Sequence, residues 1–428
     1  MAGDEPETSM AAAAVERVSA KELNARAFIE RIAVPGRPVV LLDIVPAWAA
    51  FREWRRADGE ADCEHLAAKF RRLQGPVVDC SGARDTATWD VGEYFTWVAA
   101  QRDRDTLGYD DQKNLLYLKD WHLVQDCRRL GLQIPYEAPD YLAAPLHDWL
   151  NLYKDVTTSG CDDFRFCYAG VAGTCTLLHH DVLCSHSWSA NISGLKRWVF
   201  YPPEVSPWLV DRRGDAASSA APGRRPQGWE KQWPKLHLAW DRRLEFLQEA
   251  GELVFVPSGW YHEVENLTFA VSINHNWLNA SNAEKVWGFL EAEMEAVHKT
   301  IGDLQDTFET AEEYAAQCQT LMKANCGLDL AGWMTLLAAA AELAVESVTL
   351  ARKQVREAEA TATTTTTTRT DARDNLWVAQ WVCDRLDEVA QATLASEAVA
   401  ASSGPREVVP RLVAALQEIA QNQNAAIE

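Results

Sequence analysis

The chain has 428 residues, with 62 acidic against 41 basic side chains and a net charge of −21. Hydrophobic residues make up 47%, enough for a globular core, so disorder along the whole chain is excluded. A general nucleic-acid binder is excluded as well, because neutralising phosphates takes a positive surface.

The 18 Trp are about three times the usual share for this length. The first residues, MAGDEPETSM, carry acids where a secretory or transit segment carries positive charge. No apolar run near the roughly 20 residues of a membrane span is read, so no membrane partner is expected. The ten Cys are scattered and none forms a C-x-x-C pair. They are read as free thiols of a reducing compartment, the cytoplasm first and the nucleus second.

Residues 1–18 are Ala-rich and polar, and are expected to be an unstructured lead-in. Ser19 with Glu22 makes a capping box that predicts a helix through Phe28 and Ile32. Short β-like segments follow at Val39–Leu42, Val77–Val78 and Leu115–Leu118, with Trp- and Tyr-bearing helices around Trp48–Trp54 and Tyr94–Val98. From Phe164 to Trp277, branched and aromatic residues alternate with polar ones between punctuating glycines. Many short strands of this kind predict a sandwich or barrel of the jelly-roll class. Residues 211–235 interrupt them with a polar, Gly/Pro-rich insertion, and 211–243 holds eight bases against four acids. A solvated surface loop is the favoured reading, a docking loop the lesser one.

Beyond residue 280 the pattern turns helical and more acidic, with 23 acids against 11 bases. Ser281 and Glu284 form a second capping box ahead of Val286, Leu290, Met294, Val297 and Ile301. Apolar helical spacing recurs over Leu328–Leu350, Leu376–Val389 and Val408–Ile419. The Thr-rich tract 359–374 is predicted to be a linker between helical regions 281–358 and 375–428. The fold class is therefore α+β, with a β-rich domain over 19–280.

The stretch T176-L-L-H179-H-D181 carries the chemistry. Alternate side chains of a strand share a face, so His179 and Asp181 point one way and His180 the other. His262, closing the apolar strand G251-ELVFVPSGWYH, is the candidate third ligand. Two His and one carboxylate leave coordination positions open, which suits non-haem Fe(II), although zinc fits the same donors. Lys196 lies one strand further on and can pair with the remote carboxylate of a dicarboxylate, with the Thr176 hydroxyl donating to the same group. A zinc site of Cys184, His186 and His179 is the weaker metal reading, since no Cys pair completes it. Trp188, Trp198, Trp260 and Trp277 flank these motifs and are assigned to the barrel core.

T-x-x-H-x-D, then W188-S-A-N191-I-S-G-L-K196-R-W, then G-E-L-V-F-V-P-S-G-W-Y-H262 and N274-H-N-W resemble the JmjC-domain 2-oxoglutarate oxygenases. Within them the chain resembles the small hydroxylase branch that modifies a lysine of the eukaryotic peptide-chain release factor. The segments around P38-V-V-L-L-D, L115-L-Y-L-K-D-W-H and D148-W-L-N-L-Y extend the likeness over roughly 25–300.

The resemblance implies a double-stranded β-helix (jelly-roll, cupin-like) core with Fe(II) on His179, Asp181 and His262. It implies 2-oxoglutarate on Thr176 and Lys196, with O2 as second cosubstrate. Asn191, two residues along from a family position that contacts the cosubstrate, is carried as a third cosubstrate-binding candidate. Asn274 and Asn276 share His262's parity only if no bulge intervenes. The implied activity is hydroxylation of a lysine in the release factor. N-methyl-lysine demethylation on histones and an inactive jelly-roll scaffold stay open as alternatives. Self-association through the C-terminal helices is a further expectation by analogy.

Overall fold

Five strands precede the jelly roll: β1 (Glu16–Ser19), β2 (Val39–Leu42), β3 (Gln74–Asp79), β4 (Thr86–Asp90) and β5 (Leu116–Trp121). Eight more form it. These are β6 (Arg165–Gly170), β7 (Cys175–His179), β8 (His186–Ser193), β9 (Lys196–Tyr201), β10 (Leu244–Gln248), β11 (Leu253–Val256), β12 (Tyr261–Asn266) and β13 (Ala270–Trp277). They lie in two sheets, one of nine strands in the order β1-β2-β11-β8-β13-β6-β5-β3-β4 and one of four in the order β10-β9-β12-β7. The coordinates are a computed structural model and describe residues 15–82, 84–106, 115–158, 162–361, 365–401 and 408–424.

The sequence pattern explains which face goes where. Trp188, Ala190 and Ile192 of β8, with Val271, Ile273 and Trp277 of β13, point to the outer face of the large sheet. There they meet Phe28, Trp48, Trp54, Phe70, Tyr94 and Phe95 from the N-terminal region. The intervening Ser187, Ser189, Asn274 and Asn276 point inward and line a pocket between the sheets. Further down the barrel the inward residues are apolar, Val254 and Val256 meeting Trp198, Phe200 and Phe246. One period-two pattern thus builds a dry core outside and a polar pocket inside. Most of the tryptophan excess is wall material: Trp54, Trp121, Trp149, Trp188, Trp277 and Trp333 are wholly buried.

Several expectations are revised. The lead-in ends earlier than residue 18, because Val15 and Val18 are buried and β1 pairs parallel with β2; residues 1–14 lie outside the described residues. Ser19 caps only a short 3-10 turn, and Asn24 starts the helical segment that follows. The second capping box is absent. Asn282 precedes the helix Ala283–Ile301, while the Ser281 hydroxyl bonds to Asn279 and His186.

The insertion is not simply a solvated loop. Leu209, Ala217, Ala220, Trp233, Leu236 and Ala239 pack with Leu178, Val199 and Tyr201 of the small sheet. The Leu178 amide donates to Ser218, so the insertion covers the free edge of β7.

The Thr-rich linker is largely helix. Helices Leu330–Ala360 and Thr366–Ala395 pack on each other, and the Thr365 hydroxyl caps the second by accepting from the Thr368 amide. Arg369 reaches back to the Ala358 carbonyl, so tertiary contact overrides the weak helix propensity of threonine. Residues 362–364 lie outside the described residues. Helix Leu330–Ala360 is also long and apolar enough, by length and composition, to cross a membrane, contrary to the sequence expectation. Its Trp333, Leu336, Leu337, Ala340 and Ala344 are buried against Leu386, Val389 and Leu412 of the neighbouring helices and against Trp149 and Leu150.

Candidate metal centre

His179 ends β7 and faces His262 of β12 across an antiparallel pair. Asp181 lies just beyond the strand, at the start of a tight turn in which Leu183 and Cys184 both take left-handed φ, 54° and 52°. Two successive side-chain-bearing residues there are strained, and the turn leads the chain into β8, whose Ser187 bonds back to Asp181. The ligand atoms of the three residues all lie within 4.8 Å of one another.

The donors are preset. His179 Nδ1 lies 2.7 Å from the Leu177 carbonyl and His262 Nδ1 lies 3.1 Å from the Trp260 carbonyl. A carbonyl only accepts, so each Nδ1 carries the proton and each Nε2 presents a lone pair. Burial lowers the pKa of both imidazoles, that of His179 to about 3, where the nearness of His262 adds to it. Asp181 is held at both oxygens, Oδ2 by the Ser187 hydroxyl at 2.8 Å and Oδ1 by the Asn276 amide at 2.9 Å. Two neutral imidazoles and an oriented carboxylate converging on one point suit a divalent cation.

Deeper in the same pocket, Lys196 is 2% exposed and its ammonium donates to Ser272 Oγ at 2.7 Å. Burial drops its pKa to about 7. Thr176 and Tyr117 stand beside it on the wall, Tyr117 in hydrogen-bond contact with Thr176 and Asn266. A buried lysine with no carboxylate partner among the described residues, sharing its pocket with a hydroxyl and a phenol, is a receptor for an anion.

The arrangement has known counterparts. Residues 166–277, from β6 to the end of β13, match the JmjC domain, hydroxylase family. The chain is 34% identical over 320 residues to the 2-oxoglutarate and iron-dependent oxygenase JMJD4 of Danio rerio, covering 74% of this chain and 72% of the relative. It is 33% identical to the human protein of the same name, covering 74% and 73%. The chain belongs to the JmjC family. An Arabidopsis thaliana relative, named arginine-specific demethylase JMJ20, is 34% identical over 74% of this chain and 68% of its own.

Within this JmjC pocket Asn191 does not take part. Its amide donates to the Gly194 carbonyl at 2.7 Å and ties down the turn between β8 and β9, away from the lining residues. Gly194, at φ 88°, brings that turn within reach.

His180 points away from the triad, edge-on to Tyr261 and Phe289. His186 does not join a zinc site with His179. Buried, it accepts from the Ser258 amide at 2.9 Å and meets Ser281 with its other nitrogen. His275 stacks on Trp188 behind the sheet and bonds to Tyr136. Trp198 is more than core, because it also lines the pocket and stacks on His262.

Sequence reading passed over Ser187, Ser272, Tyr117, Tyr168 and Lys119, and undervalued Asn276. The parity of Ser187 and Ser189 against Trp188, and of Asn274 and Asn276 against His275, is the signal that could have found half of them. Lys119 and Asp120 carry no such signal. They form an irregularity between β5 and β6, with Asp120 at φ 60° and its carboxylate accepting from Tyr168 at 2.6 Å.

Proposed function

We propose that this protein is an Fe(II)- and 2-oxoglutarate-dependent protein hydroxylase. The observation that carries the reading is the convergence of His179, Asp181 and His262 at the mouth of a pocket that holds buried Lys196. The names of the JMJD4 relatives agree with its iron and 2-oxoglutarate dependence. In this reading the three side chains hold iron, and Lys196, Thr176 and Tyr117 hold the remote carboxylate of 2-oxoglutarate. Iron, when bound, supplies the oxidising chemistry with dioxygen and the keto acid.

The chain's own contribution is placement. The Nδ1 bonds fix both ring orientations, Ser187 and Asn276 fix the carboxylate, and Trp198 and Val264 keep water from the inner wall. Lys196 enters the pocket from β9 and donates to the neutral Ser272 hydroxyl, so an incoming carboxylate can pair with its ammonium.

For the substrate, we infer a lysine side chain of the peptide-chain release factor, on the strength of the sequence resemblance. Demethylation is the second reading, favoured by the printed name of the Arabidopsis relative. One experiment separates them. The protein is incubated with Fe(II), 2-oxoglutarate and either release factor or methylated basic peptides, and the products are weighed. Gain of one oxygen on an unmethylated lysine supports hydroxylation; loss of methyl groups with no such gain supports demethylation. Succinate formation that none of these substrates stimulates overturns both assignments.

A further inference from the structure

Asn151 lies outside the pocket, on the short helix Trp149–Thr157, and is 0% exposed. Its side chain is used on both ends. Nδ2 donates to Asp148 Oδ2 at 2.7 Å and to the Asn276 carbonyl at 3.1 Å, while Oδ1 accepts from the Phe164 amide at 2.8 Å. The Asn276 amide in turn donates to the Phe164 carbonyl at 3.0 Å. One carboxamide therefore clamps the ends of two adjacent strands, the start of β6 and the end of β13.

The residue at the clamped end of β13 is the one whose side-chain amide, Nδ2, donates to Asp181 Oδ1. Where the main chain of Asn276 sits decides where that amide points. We propose that Asn151 is a positioning residue for the metal-binding carboxylate of Asp181, acting through the main chain of Asn276. The inference rests on the metal-centre reading above.

The helix that carries Asn151 has a second attachment. Its Trp149 and Leu150 belong to the same buried cluster as Leu330, Trp333 and Leu337. Close packing continues at Gly332, where a Cβ would come within 2.9 Å of the Tyr153 hydroxyl. The C-terminal helices thus back the helix whose side chain sets the strand end, and Asn151 is the polar contact that carries this support to the sheet. Packing alone would be met by an apolar residue here. A carboxamide satisfied at both ends matches the N–H of Phe164 and the C=O of Asn276 together, one with its oxygen and one with its nitrogen.

The test uses the full chain freed of metal and titrated with Co(II) alone, followed by the visible absorption of the bound ion. Asn151→Asp keeps the size and the acceptor for Phe164 but removes both donors. It is expected to weaken Co(II) binding roughly tenfold, the scale of losses from groups that support a ligand. In an Asn276→Ala background the same change is expected to add almost nothing, since the path to Asp181 is already cut. A control, Val389→Ala in the helical core, is expected to lower the melting temperature and leave Co(II) affinity unchanged.

Wild-type affinity in Asn151→Asp, full additivity with Asn276→Ala, or an equal loss in Val389→Ala each overturns the proposal. Failure of the wild-type protein to bind Co(II) would instead sink the metal-centre reading beneath it. If Asn151→Asp does not fold, Asn151→Ala removes the same donors with a smaller side chain and takes the same test.

Discussion

His262 stands directly opposite His179 in the β12–β7 pair, and their ring centres lie 4.2 Å apart. Both rings carry their proton on Nδ1, so two Nε2 lone pairs converge with the Asp181 carboxylate close by. Three acceptors gathered without a donor among them repel one another unless a cation lies between.

Removing the charged member is therefore the most damaging change. Asp181→Ala is expected to weaken Co(II) or Fe(II) binding by at least about a hundredfold and to leave on the order of 1% of 2-oxoglutarate turnover. Ser187→Ala removes one of the two bonds that hold the carboxylate, and about tenfold is expected there. Metal titration monitored alongside succinate release checks both. Equal affinities in wild type and Asp181→Ala would mean that the metal, if any, is held elsewhere.

The triad was legible because its spacing follows strand geometry: His179 and Asp181 by parity, His262 by the end of an apolar strand. Lys196 was legible through the motif around it and not through parity, and β2 was located to the residue. Asn191 misled because parity names a face but not a depth. Two residues beyond Ser189, the same inward face lies past the pocket and serves a turn. The linker misled because a threonine tract has poor helix propensity on its own, and nothing local shows that a 31-residue partner helix will receive it. Asn151 could not be read at all. Beside its local bond to Asp148, the partners that matter are main-chain groups of residues 164 and 276, and main-chain partners leave no mark in the sequence.

Thr365 makes that last stretch testable. Its hydroxyl accepts from the Thr368 amide at 3.2 Å and is the cap of helix Thr366–Ala395. Thr365→Ala is expected to cost about 1 kcal/mol, read as a lower midpoint in urea. Metal affinity is expected to stay as it was, because the cap is exposed and touches no pocket residue.

Glu263 anchors the insertion. It is 4% exposed, and its carboxylate accepts from the Tyr201 hydroxyl at 2.8 Å, the Ser219 hydroxyl at 2.6 Å and the Ala220 amide at 3.1 Å. Glu263→Ala strands three buried donors and is expected to destabilise the protein by about 3 kcal/mol. Limited proteolysis locates the damage: cleavage within 211–235 is expected to accelerate before any other site. Uniform acceleration along the chain would show that the apolar contacts of Trp233 and Leu236 hold the insertion without the carboxylate.

Lys196 gives the pocket a pH dependence of defined sign. Its ordinary value of 10.5 falls to about 7 through burial, which outweighs the opposing influence of the nearby Cys167 thiol. Below pH 7 the ammonium is present in folded and unfolded chains alike, and the group leaves stability unchanged. Between about 7 and 10.5 the unfolded chain keeps a proton that the folded chain has lost, so this lysine makes stability rise with pH. Lys196→Met removes that rise, and urea midpoints at pH 7 and 9 compare the two proteins. Ligand binding has the opposite slope. A carboxylate pairs with the ammonium, so binding 2-oxoglutarate above pH 7 must bring a proton with it, and affinity is expected to fall by up to about tenfold per pH unit. Calorimetry at pH 8.5 in two buffers of different ionisation enthalpy measures that uptake, expected to approach one proton in wild type and to vanish in Lys196→Met. A flat affinity with no proton uptake would assign the anion to a different cation, with Lys119 at the pocket mouth the nearest alternative.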